Sequence, residues 1–422
     1  MKISIIHPGS RHGYAIPLIF CESDLLFKVY TDFFVSHKIS KYGSSIFEML
    51  GCQKLAKYLQ SRTSCFLNSQ QVNSLPFGYL EDFINLSKNK NLYDRLQHYR
   101  RQTASLSKKA TGDEEQFQGL YAFFMGGLEG FQLMPDKVKI LDIIHLPHAF
   151  LIPHLRQEFQ KFSDWVTVPD MYHSGADRYI INREKQELEL ADLILCPSEL
   201  VKETVLQYVP QKKSQIYLNQ YPVPLWVNNY IQSETFNNIK KSFSLNSEPL
   251  KILFVGTVNL RKGVQYLLPA LRLLKQINFE AKIVGAIDIN QEKIAEYEEI
   301  CEFTGAVSKS ELAKLYIWAD LFVFPSIAEG SAGVVYEAMS FGLPILTTKA
   351  SGSVVRDGVD GFVMSHPSVE EIAEKIFIFS QNKSLLTEMS HHTLNRVSEF
   401  SWQNSVKRYS HLMTSTIARS QF

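Results

Sequence analysis

Two carboxylates and a pair of cations have the types and spacing that chemistry on a charged, hydroxylated ligand would need. Glu329 and Glu337 bracket a small-residue loop in LFVFPSIAEGSAGVVYEAMSFG, with seven residues between them. Arg261 and Lys262 lie in a second glycine-bearing loop, FVGTVNLRKG. Carboxylates accept hydrogen bonds from hydroxyl groups, and cations can neutralise a departing diphosphate. Glutamates at any given spacing are common by chance, so the surrounding elements must support this interpretation.

Each of these loops is predicted to connect a buried strand to a helix. The apolar run at 321–324 indicates a parallel strand, and the loop 326–333 leads into a helix over 334–340. The strand predicted at 251–255 leads in the same way to a helix over 264–275. A helix N-terminus offers N–H groups and a positive dipole end, which favour phosphate. Together with the acids, this predicts a nucleotide-sugar site.

Candidate ligand contacts in the first half of the chain also follow predicted strands. Arg11 and His12 come after the opening strand, while His145 and His148 come after a strand at 138–144. In an open α/β sheet, loops at the carboxyl ends of strands face the binding crevice. An exposed polar loop is an equally good interpretation of Arg11 and His12. A metal at the histidines would need further ligands, and the sequence offers no clear set.

Strands alternate with helices over the rest of the chain, which predicts parallel sheets. A strand is predicted at 165–168, and a charged helix at 180–190. The basic segment 88–110 is compatible with an anionic lipid surface, although a solvated helix face is the simpler interpretation. The two prolines of 219–226 indicate a domain boundary, and a last helix is expected after Phe400.

Composition excludes several classes of protein. The chain has 422 residues and a formal net charge of +1, so nothing in its charge indicates nucleic-acid binding. Its five cysteines are scattered without a CxxC pair, which argues against a disulfide framework or zinc site. No signal peptide or membrane span is predicted, so we expect a cytoplasmic protein and leave peripheral contact with the inner membrane face open. No Asp-x-Asp pair is present, so no metal or other cofactor is expected.

Several motifs together resemble the family-4 group of retaining glycosyltransferases with the GT-B fold. They are FVGTVNLRKGVQYLL, ELAKLYIWADLFVFPSIAEGSAGVVYEAMSFGLPIL and VRDGVDGFVM, with EKQELELADLILCPS in the first half. The resemblance covers roughly half of the chain, and it is specific to a fold and a donor type rather than to a substrate. It implies two Rossmann-like domains, an acceptor-side domain at 1–222 and a donor-binding domain at 223–400. A C-terminal helix at 401–422 is expected to pack back on the first domain.

The resemblance also implies roles for individual residues. Glu329 matches the acid that binds the donor's sugar hydroxyls, Glu337 the acid that binds the ribose, and Lys262 the lysine that holds the diphosphate. Glu329, Lys262 and Arg261 together form the expected catalytic set. The other expected donor contacts are Gly256, Thr257, Gly330, Ser331, Ala332, Gly333, Val334 and Val335.

The chain departs from the family pattern at two places. Many members have an arginine directly after the glycine that matches Gly256, where this chain has Thr257. Arg261 is the candidate for the missing charge because it lies beside Lys262. Members of the family have a histidine in the first domain. His145 and His148 both lie in the corresponding region, so either could face the acceptor.

The predicted function is transfer of a sugar, with retention, from a nucleotide diphosphate sugar to an acceptor hydroxyl in polysaccharide or glycoconjugate synthesis. The acceptor could be a saccharide, a lipid-linked sugar or a small molecule. Two alternatives stay open: a GT-B phosphorylase or epimerase, and a non-catalytic nucleotide-sugar-binding protein. A nicotinamide-dependent dehydrogenase fits worse, because neither half has GxGxxG after its first strand.

Overall fold

The computed structural model describes residues 2–9, 11–35, 37–49, 53–64, 67–75, 92–166, 176–231 and 249–420. Two separate parallel sheets organise these residues. The part of the basic segment that precedes residue 92, and most of the polar stretch 227–249, lie outside them.

The first sheet has seven parallel strands in the order β3-β2-β1-β4-β5-β6-β7. Three of its strands (β1, β4 and β6) are buried at every position. Helices therefore cover both faces, as parallel sheets require. The strands are β1 Ile3–Ile6, β2 Leu26–Thr31, β3 Val72–Ser74, β4 Gly119–Phe123, β5 Val138–Asp142, β6 Leu193–Cys196 and β7 Ile216–Leu218.

The second sheet has six parallel strands in the order β10-β9-β8-β11-β12-β13. Because β8 and β11 are neighbours, the loops at their carboxyl ends are brought together. The strands are β8 Leu250–Val255, β9 Phe279–Val284, β10 Glu302–Gly305, β11 Leu321–Phe324, β12 Ile345–Thr348 and β13 Gly361–Met364.

The helices pack on both sheets, and serine side chains begin several of them. Ser198, Ser308 and Ser368 each accept a hydrogen bond from a backbone N–H of the first turn. The helices are α1 Ala15–Glu22, α2 His37–Met49, α3 Gln53–Ser61, α4 Leu92–Thr111, α5 Leu128–Leu133, α6 His148–Lys161, α7 Ala176–Leu190, α8 Glu199–Tyr208, α9 Leu225–Ile231, α10 Val264–Leu273, α11 Gln291–Ala295, α12 Lys309–Trp318, α13 Gly333–Ser340, α14 Val369–Gln381, α15 Lys383–Ser398 and α16 Trp402–Ser420.

The last helix returns to the first sheet. Trp402, at the start of α16, donates from Nε1 to an Oε atom of Glu22 at 2.8 Å. Tyr409, fully buried, packs edge-on against Phe20 of α1. Aromatic burial of this kind ties the end of the chain to its beginning.

The predicted α/β architecture with parallel sheets is confirmed, but one predicted strand is wrong. Residues 163–165 form a single 3₁₀ turn, with Trp165 buried against Phe162 and Tyr297. Trp165 and Val166 therefore fill a core next to the second sheet rather than pair with a strand. Residues 167 and 168 lie outside the described ranges.

Candidate active site

The turn after β8 is locked against the end of β11. Asn259 caps a 3₁₀ turn at 260–262 by accepting a hydrogen bond from the Lys262 N–H at 3.2 Å. Gly263 follows with a φ of 79°, and a Cβ there would lie 1.9 Å from the Pro325 carbonyl oxygen. Only glycine fits that conformation and that space. The close approach places Lys262 beside the residues that follow β11.

Lys262 and Glu329 form an ion pair at this point. Their side chains are 14% and 12% exposed, and Glu329 also accepts from the Ser326 hydroxyl at 3.2 Å. The pKa of Lys262 is lowered, because burial removes solvation from the ammonium by more than Glu329 restores. Arg261 Nη2 lies 3.9 Å from the same Glu329 oxygen, on a more exposed side chain. The sequence-predicted catalytic residues therefore meet in space.

The loop 330–335 carries the chain from Glu329 into α13. Backbone N–H groups of Glu329 and Ala332 donate to the Ala350 and Ser351 carbonyls, at 2.8 and 3.1 Å, which fixes the loop on the segment after β12. The first turn of a helix leaves N–H groups without partners inside the helix. Gly333, the first residue of α13, is exposed and Val334 is half-buried, whereas Val335 and Tyr336 are buried. This end of the helix can bind an anion.

Glu337, on α13, faces two aromatic side chains. It accepts hydrogen bonds from Trp226 Nε1 at 3.0 Å and from the Tyr316 hydroxyl at 2.9 Å. Burial raises the pKa of Glu337, although both hydrogen bonds favour the charged carboxylate. Trp226 belongs to α9, in the segment that joins the two sheets. Neither aromatic partner is signalled by a local motif, and sequence reasoning missed both.

The first half of the chain meets the loop after Glu329 at Gly330. The Ser198 hydroxyl donates to the Gly330 carbonyl oxygen at 2.7 Å. A Cβ on Gly330 would lie 2.2 Å from the Ile144 carbonyl oxygen and 3.0 Å from the His145 Cα. The backbone of Ile144 and His145, in what we call the histidine loop, therefore lies directly against the loop that follows Glu329.

His145, His148 and a buried carboxylate form a cluster on this side. Glu184 of α7 is fully buried and accepts from the His148 backbone N–H at 2.8 Å, while its other oxygen lies 2.5 Å from His148 Nδ1. The His145 ring packs edge-on to that of His148 at 4.7 Å. Burial raises the pKa of Glu184 to about 7 and lowers that of His148 to about 4. Sequence reasoning quoted Glu184 within a motif but missed its role.

The ligand atoms of this cluster lie within 4.8 Å of one another, a spacing that could hold a metal ion. Both Glu184 oxygens, however, already contact His148. The arrangement resembles a carboxylate that orients a histidine, and the absence of a metal stays a prediction. When Glu184 is ionised, neutral His148 donates from Nδ1, which leaves Nε2 as an acceptor.

Glu184 and His148 should contribute to the pH dependence of the free energy of unfolding with opposite signs. Glu184 alone, with its pKa raised from 4.5, contributes stability that is complete below pH 4.5 and lost as the pH rises to about 7. His148 alone, with its pKa lowered from 6.5, contributes stability present above pH 6.5 and lost as the pH falls to about 4. In the wild type these terms nearly cancel between about pH 5 and 6.

We therefore expect His148→Gln and Glu184→Gln to change the pH slope in opposite directions. Relative to wild type, the free energy of unfolding should fall with rising pH in His148→Gln and rise in Glu184→Gln, by up to about 1.4 kcal/mol per pH unit. Burial is the leading cause of both shifts, so each should persist without the partner. Denaturant unfolding at several pH values measures the slopes, with exposed His391→Gln as control. Parallel slopes in the two variants would contradict the opposite pKa shifts of Glu184 and His148.

The remaining predicted contacts are placed as follows. Gly256 directly follows β8 and donates its N–H to the Val284 carbonyl at 2.9 Å, and Thr257 after it is exposed. Arg11 and His12 lie in a 3₁₀ turn after β1, near the carboxyl ends of the first sheet, and their side chains lie outside the description. Among the described residues, no hydrogen bond joins Thr257 to Lys262 or Glu329.

Comparison with known proteins finds similarity to glycosyltransferases. The sequence profile of the family "Glycosyl transferases group 1" matches residues 235–396. The chain is 26% identical over 249 residues to the Bacillus subtilis protein YtcC, which is named as a glycosyltransferase, and spans 60% of its length. It is 25% identical over 307 residues to the lipopolysaccharide 1,2-N-acetylglucosaminetransferase of Salmonella typhimurium, covering 64% of this chain and 77% of that one.

A solved structure matches over nearly the full length. It is Anabaena Alr3699/HepE, determined in complex with UDP and glucose, with a TM-score of 0.59 and 16% identity. The alignment covers 98% of this chain and 100% of that one. This protein therefore has the GT-B fold expected from the sequence. Its second sheet, with Lys262, Glu329 and Glu337, lies within the residues that this family profile matches.

Proposed function

We propose that this protein transfers a sugar from a nucleotide diphosphate sugar to an acceptor hydroxyl with retention of anomeric configuration, as a family-4 enzyme. The observation that carries the proposal is the largely buried Lys262–Glu329 pair, whose carboxylate precedes the first residue of α13, Gly333, in the chain. A cation and a helix N-terminus suit a diphosphate, and a carboxylate suits sugar hydroxyls.

Each charged residue has a separate task in this proposal. Lys262 and the first turn of α13 stabilise the departing diphosphate, where negative charge develops in the transition state. Glu329 orients the sugar through its hydroxyls, and holds Lys262 in place when no donor is bound. Arg261 supplies the charge that Thr257 lacks, because its guanidinium is within 3.9 Å of Glu329. The acceptor hydroxyl bonds to the anomeric carbon on the same face from which the diphosphate leaves, and its proton passes to an oxygen of the leaving diphosphate, so no protein nucleophile is needed.

Glu337 is the proposed ribose contact, and Trp226 donates a hydrogen bond to it. A carboxylate held by Trp226 and Tyr316 keeps lone pairs that can accept from ribose hydroxyls. Trp226 lies in the segment that connects the two sheets. Nucleotide binding at Glu337 would therefore change the surroundings of a side chain in that segment. We expect the indole fluorescence of Trp226 to change when a nucleotide binds.

The acceptor side is proposed to lie on the first sheet, with His148 and His145 facing the sugar. Glu184 fixes the orientation of His148, and the contact at Gly330 brings the histidine loop to the donor loop. The division into 1–222, 223–400 and a returning tail at 401–422 belongs to this proposal. It is supported by the gap between β7 and β8 and by the packing of α16 on α1.

The partners follow from the same proposal. A nucleotide sugar is the donor, and a saccharide, a lipid-linked sugar or a small molecule is the acceptor, in polysaccharide or glycoconjugate synthesis. The lipopolysaccharide transferase of Salmonella typhimurium and the UDP complex of HepE support this class of chemistry. The site is proposed to work in the cytoplasm and without a metal.

A thermal-shift screen tests donor binding. We expect one of UDP-, GDP- or ADP-sugars to raise the melting temperature, because a ligand at 100 times its Kd stabilises by about 2.7 kcal/mol. Glu337→Gln should reduce the shift while leaving the unliganded melting temperature close to that of wild type, since glutamine still accepts from Trp226. The control is Glu280→Gln, at an exposed site on β9. Absence of any shift across the panel, or an equal shift in Glu337→Gln, would contradict the assignment.

A further inference from the structure

Each sheet reverses its strand order at one point, and open α/β sheets bind ligands outside the carboxyl ends of the strands at that point. In the second sheet the reversal lies between β8 and β11, whose following loops carry Lys262 and Glu329. In the first sheet it lies between β1 and β4. The corresponding crevice of the first sheet is therefore bounded by the loop after β1 and by the loop 124–128 after β4. The function proposed above assigns nothing to the second of these loops.

The loop 124–128 lies between the loop after β1 and the histidine loop. A Cβ on Gly126 would lie 3.7 Å from Pro8 Cγ, in the loop after β1. On the other side, the Phe124 ring centre lies 5.4 Å from that of His145. The loop after β4 therefore occupies the crevice next to the residues that meet the second half of the chain.

All five backbone N–H groups of the loop 124–128 are hydrogen-bonded within the protein. Fully buried Glu187 of α7 accepts from three of them at 2.6 to 3.0 Å, those of Met125, Gly127 and Leu128. The other two donate to backbone carbonyls at 2.8 Å each. A carboxylate of the chain itself thus takes the N–H groups that could otherwise bind a phosphate.

Arg183, one turn before Glu187 on α7, holds the same loop by its carbonyl side. Its Nε and Nη2 donate to the Met125 carbonyl at 3.1 and 3.0 Å, and its two Nη atoms donate to the oxygens of Glu129 at 2.6 Å. Burial raises the pKa of Glu187, whereas Arg183 and the loop N–H groups favour its carboxylate form. Two side chains of one helix therefore set the conformation of the loop.

Met125 is the residue of this loop that a ligand can reach. It has a φ of 72°, a left-handed conformation that costs strain for a residue with a side chain. Such strain persists where surrounding bonds impose it, as those from Glu187 and Arg183 do here. Over 119–128 every other residue is buried, and Met125 is half-buried. A thioether side chain is flexible and apolar, so it suits an apolar part of a ligand rather than an anion.

We infer that Met125 contacts an uncharged, apolar part of the acceptor, and that Glu187 and Arg183 are the residues that position it. Alkyl glycosides have the required chemistry, since they combine a hydroxylated ring with an apolar chain. Calling this ligand an acceptor rests on the function proposed above, whereas its contact with Met125 does not.

Methionine-methyl NMR of the full chain tests the contact without requiring turnover. The chain has nine methionines, and the signal lost in Met125→Leu identifies the Met125 methyl group. The probes are hexyl glycosides of glucose, galactose, mannose and N-acetylglucosamine, with the 6-phosphates of the same sugars as charged counterparts. We expect at least one hexyl glycoside to shift the Met125 signal, and the sugar phosphates at the same concentration to leave it in place.

The Met49 methyl group is the control for non-specific binding of the alkyl chain, since its side chain is 80% exposed on α2. Alkyl chains also bind to membrane-spanning helices, but none of the described helices is long and apolar enough to cross a bilayer. The Met49 signal should stay in place with every probe. An unchanged Met125 signal with all four glycosides, or an equal shift with the phosphates or at Met49, would overturn the inference.

Replacing Glu187 separates positioning from general stability. Glu187→Gln offers one carbonyl oxygen to three N–H groups, so the loop should loosen and the Kd of the glycoside should rise on the order of tenfold. The rise in melting temperature caused by a nucleotide sugar should stay as in wild type, because the donor loops lie on the second sheet. The control is Thr204→Val, which loses a buried hydrogen bond of α8 in the same half of the chain and should change neither quantity.

Two results would remove Glu187 from this role: an unchanged Kd for the glycoside in Glu187→Gln, or an equal weakening of glycoside and nucleotide-sugar binding. If no nucleotide sugar raises the melting temperature of wild type, the proposed function fails. The Met125 signal decides the contact in that case as well.

Discussion

Replacing Lys262 with alanine should lower kcat/KM for sugar transfer by roughly 10²- to 10³-fold, the loss typical of removing one preorganised donor to a developing charge. Lys262 Nζ is held by Glu329 and lies 5.5 Å from the centre of the Phe324 ring, on a side chain only 14% exposed. A charge fixed in such surroundings is poorly screened by water. Steady-state release of nucleoside diphosphate measures the effect.

Two controls separate the loss of charge from the loss of structure. Lys275→Ala, at an exposed position after α10, should keep wild-type kinetics. Lys262→Met/Glu329→Gln removes both members of the ion pair and so avoids an uncompensated buried charge. It should melt closer to wild type than Lys262→Ala does, yet remain as inactive. Near-normal turnover in Lys262→Ala would remove Lys262 from the mechanism.

Gly330→Ala should lower activity by on the order of 10²-fold without unfolding either sheet. The new Cβ would lie 2.2 Å from the Ile144 carbonyl oxygen, across the contact between the two halves of the chain. The obstructing atoms belong to the backbone, so relief requires the histidine loop to move away from the donor loop. A displacement near 1 Å is enough to cost this much in a positioned reaction.

Small-angle scattering and kinetics together check this prediction. We expect a slightly larger radius of gyration in Gly330→Ala, with a melting temperature close to that of wild type. Gly112→Ala is the control, because a Cβ there meets only the Lys109 carbonyl oxygen at an ordinary 3.4 Å. Wild-type activity and an unchanged radius in Gly330→Ala would show that the close approach at Gly330 has no part in the reaction.

The second sheet could be predicted well because its signals are local. The run at 321–324 is short, apolar and followed by Pro325, and serine caps mark the starts of α12 and α14. In the first half, β2 and β4 were not predicted. Aromatic-rich sequence there does not separate strand from helix by period, and the pairing of β1 with β4 joins residues more than a hundred positions apart.

The residues of the candidate site also fall into two groups, those with a local sequence signal and those without one. Glu329 and Lys262 were predicted because each lies next to a strand–loop–helix junction, and the structure brings them into contact. Glu184 and Trp226 were missed. A charged run such as IINREKQELEL suggests a solvated helix, and only tertiary packing reveals that Glu184 is buried against His148. The same holds for the bond from Trp226 to Glu337, which spans 111 positions.

A crystal structure with a nucleoside diphosphate bound tests the central claim most directly. We predict density for the diphosphate within about 3 Å of the N–H groups at the start of α13 and of Lys262 Nζ, with the ribose hydroxyls at Glu337. The Lys262–Glu329 contact should lengthen as Lys262 turns to the phosphates. Density at another place on the second sheet, with Lys262 and Glu329 still paired and Glu337 untouched, would contradict it.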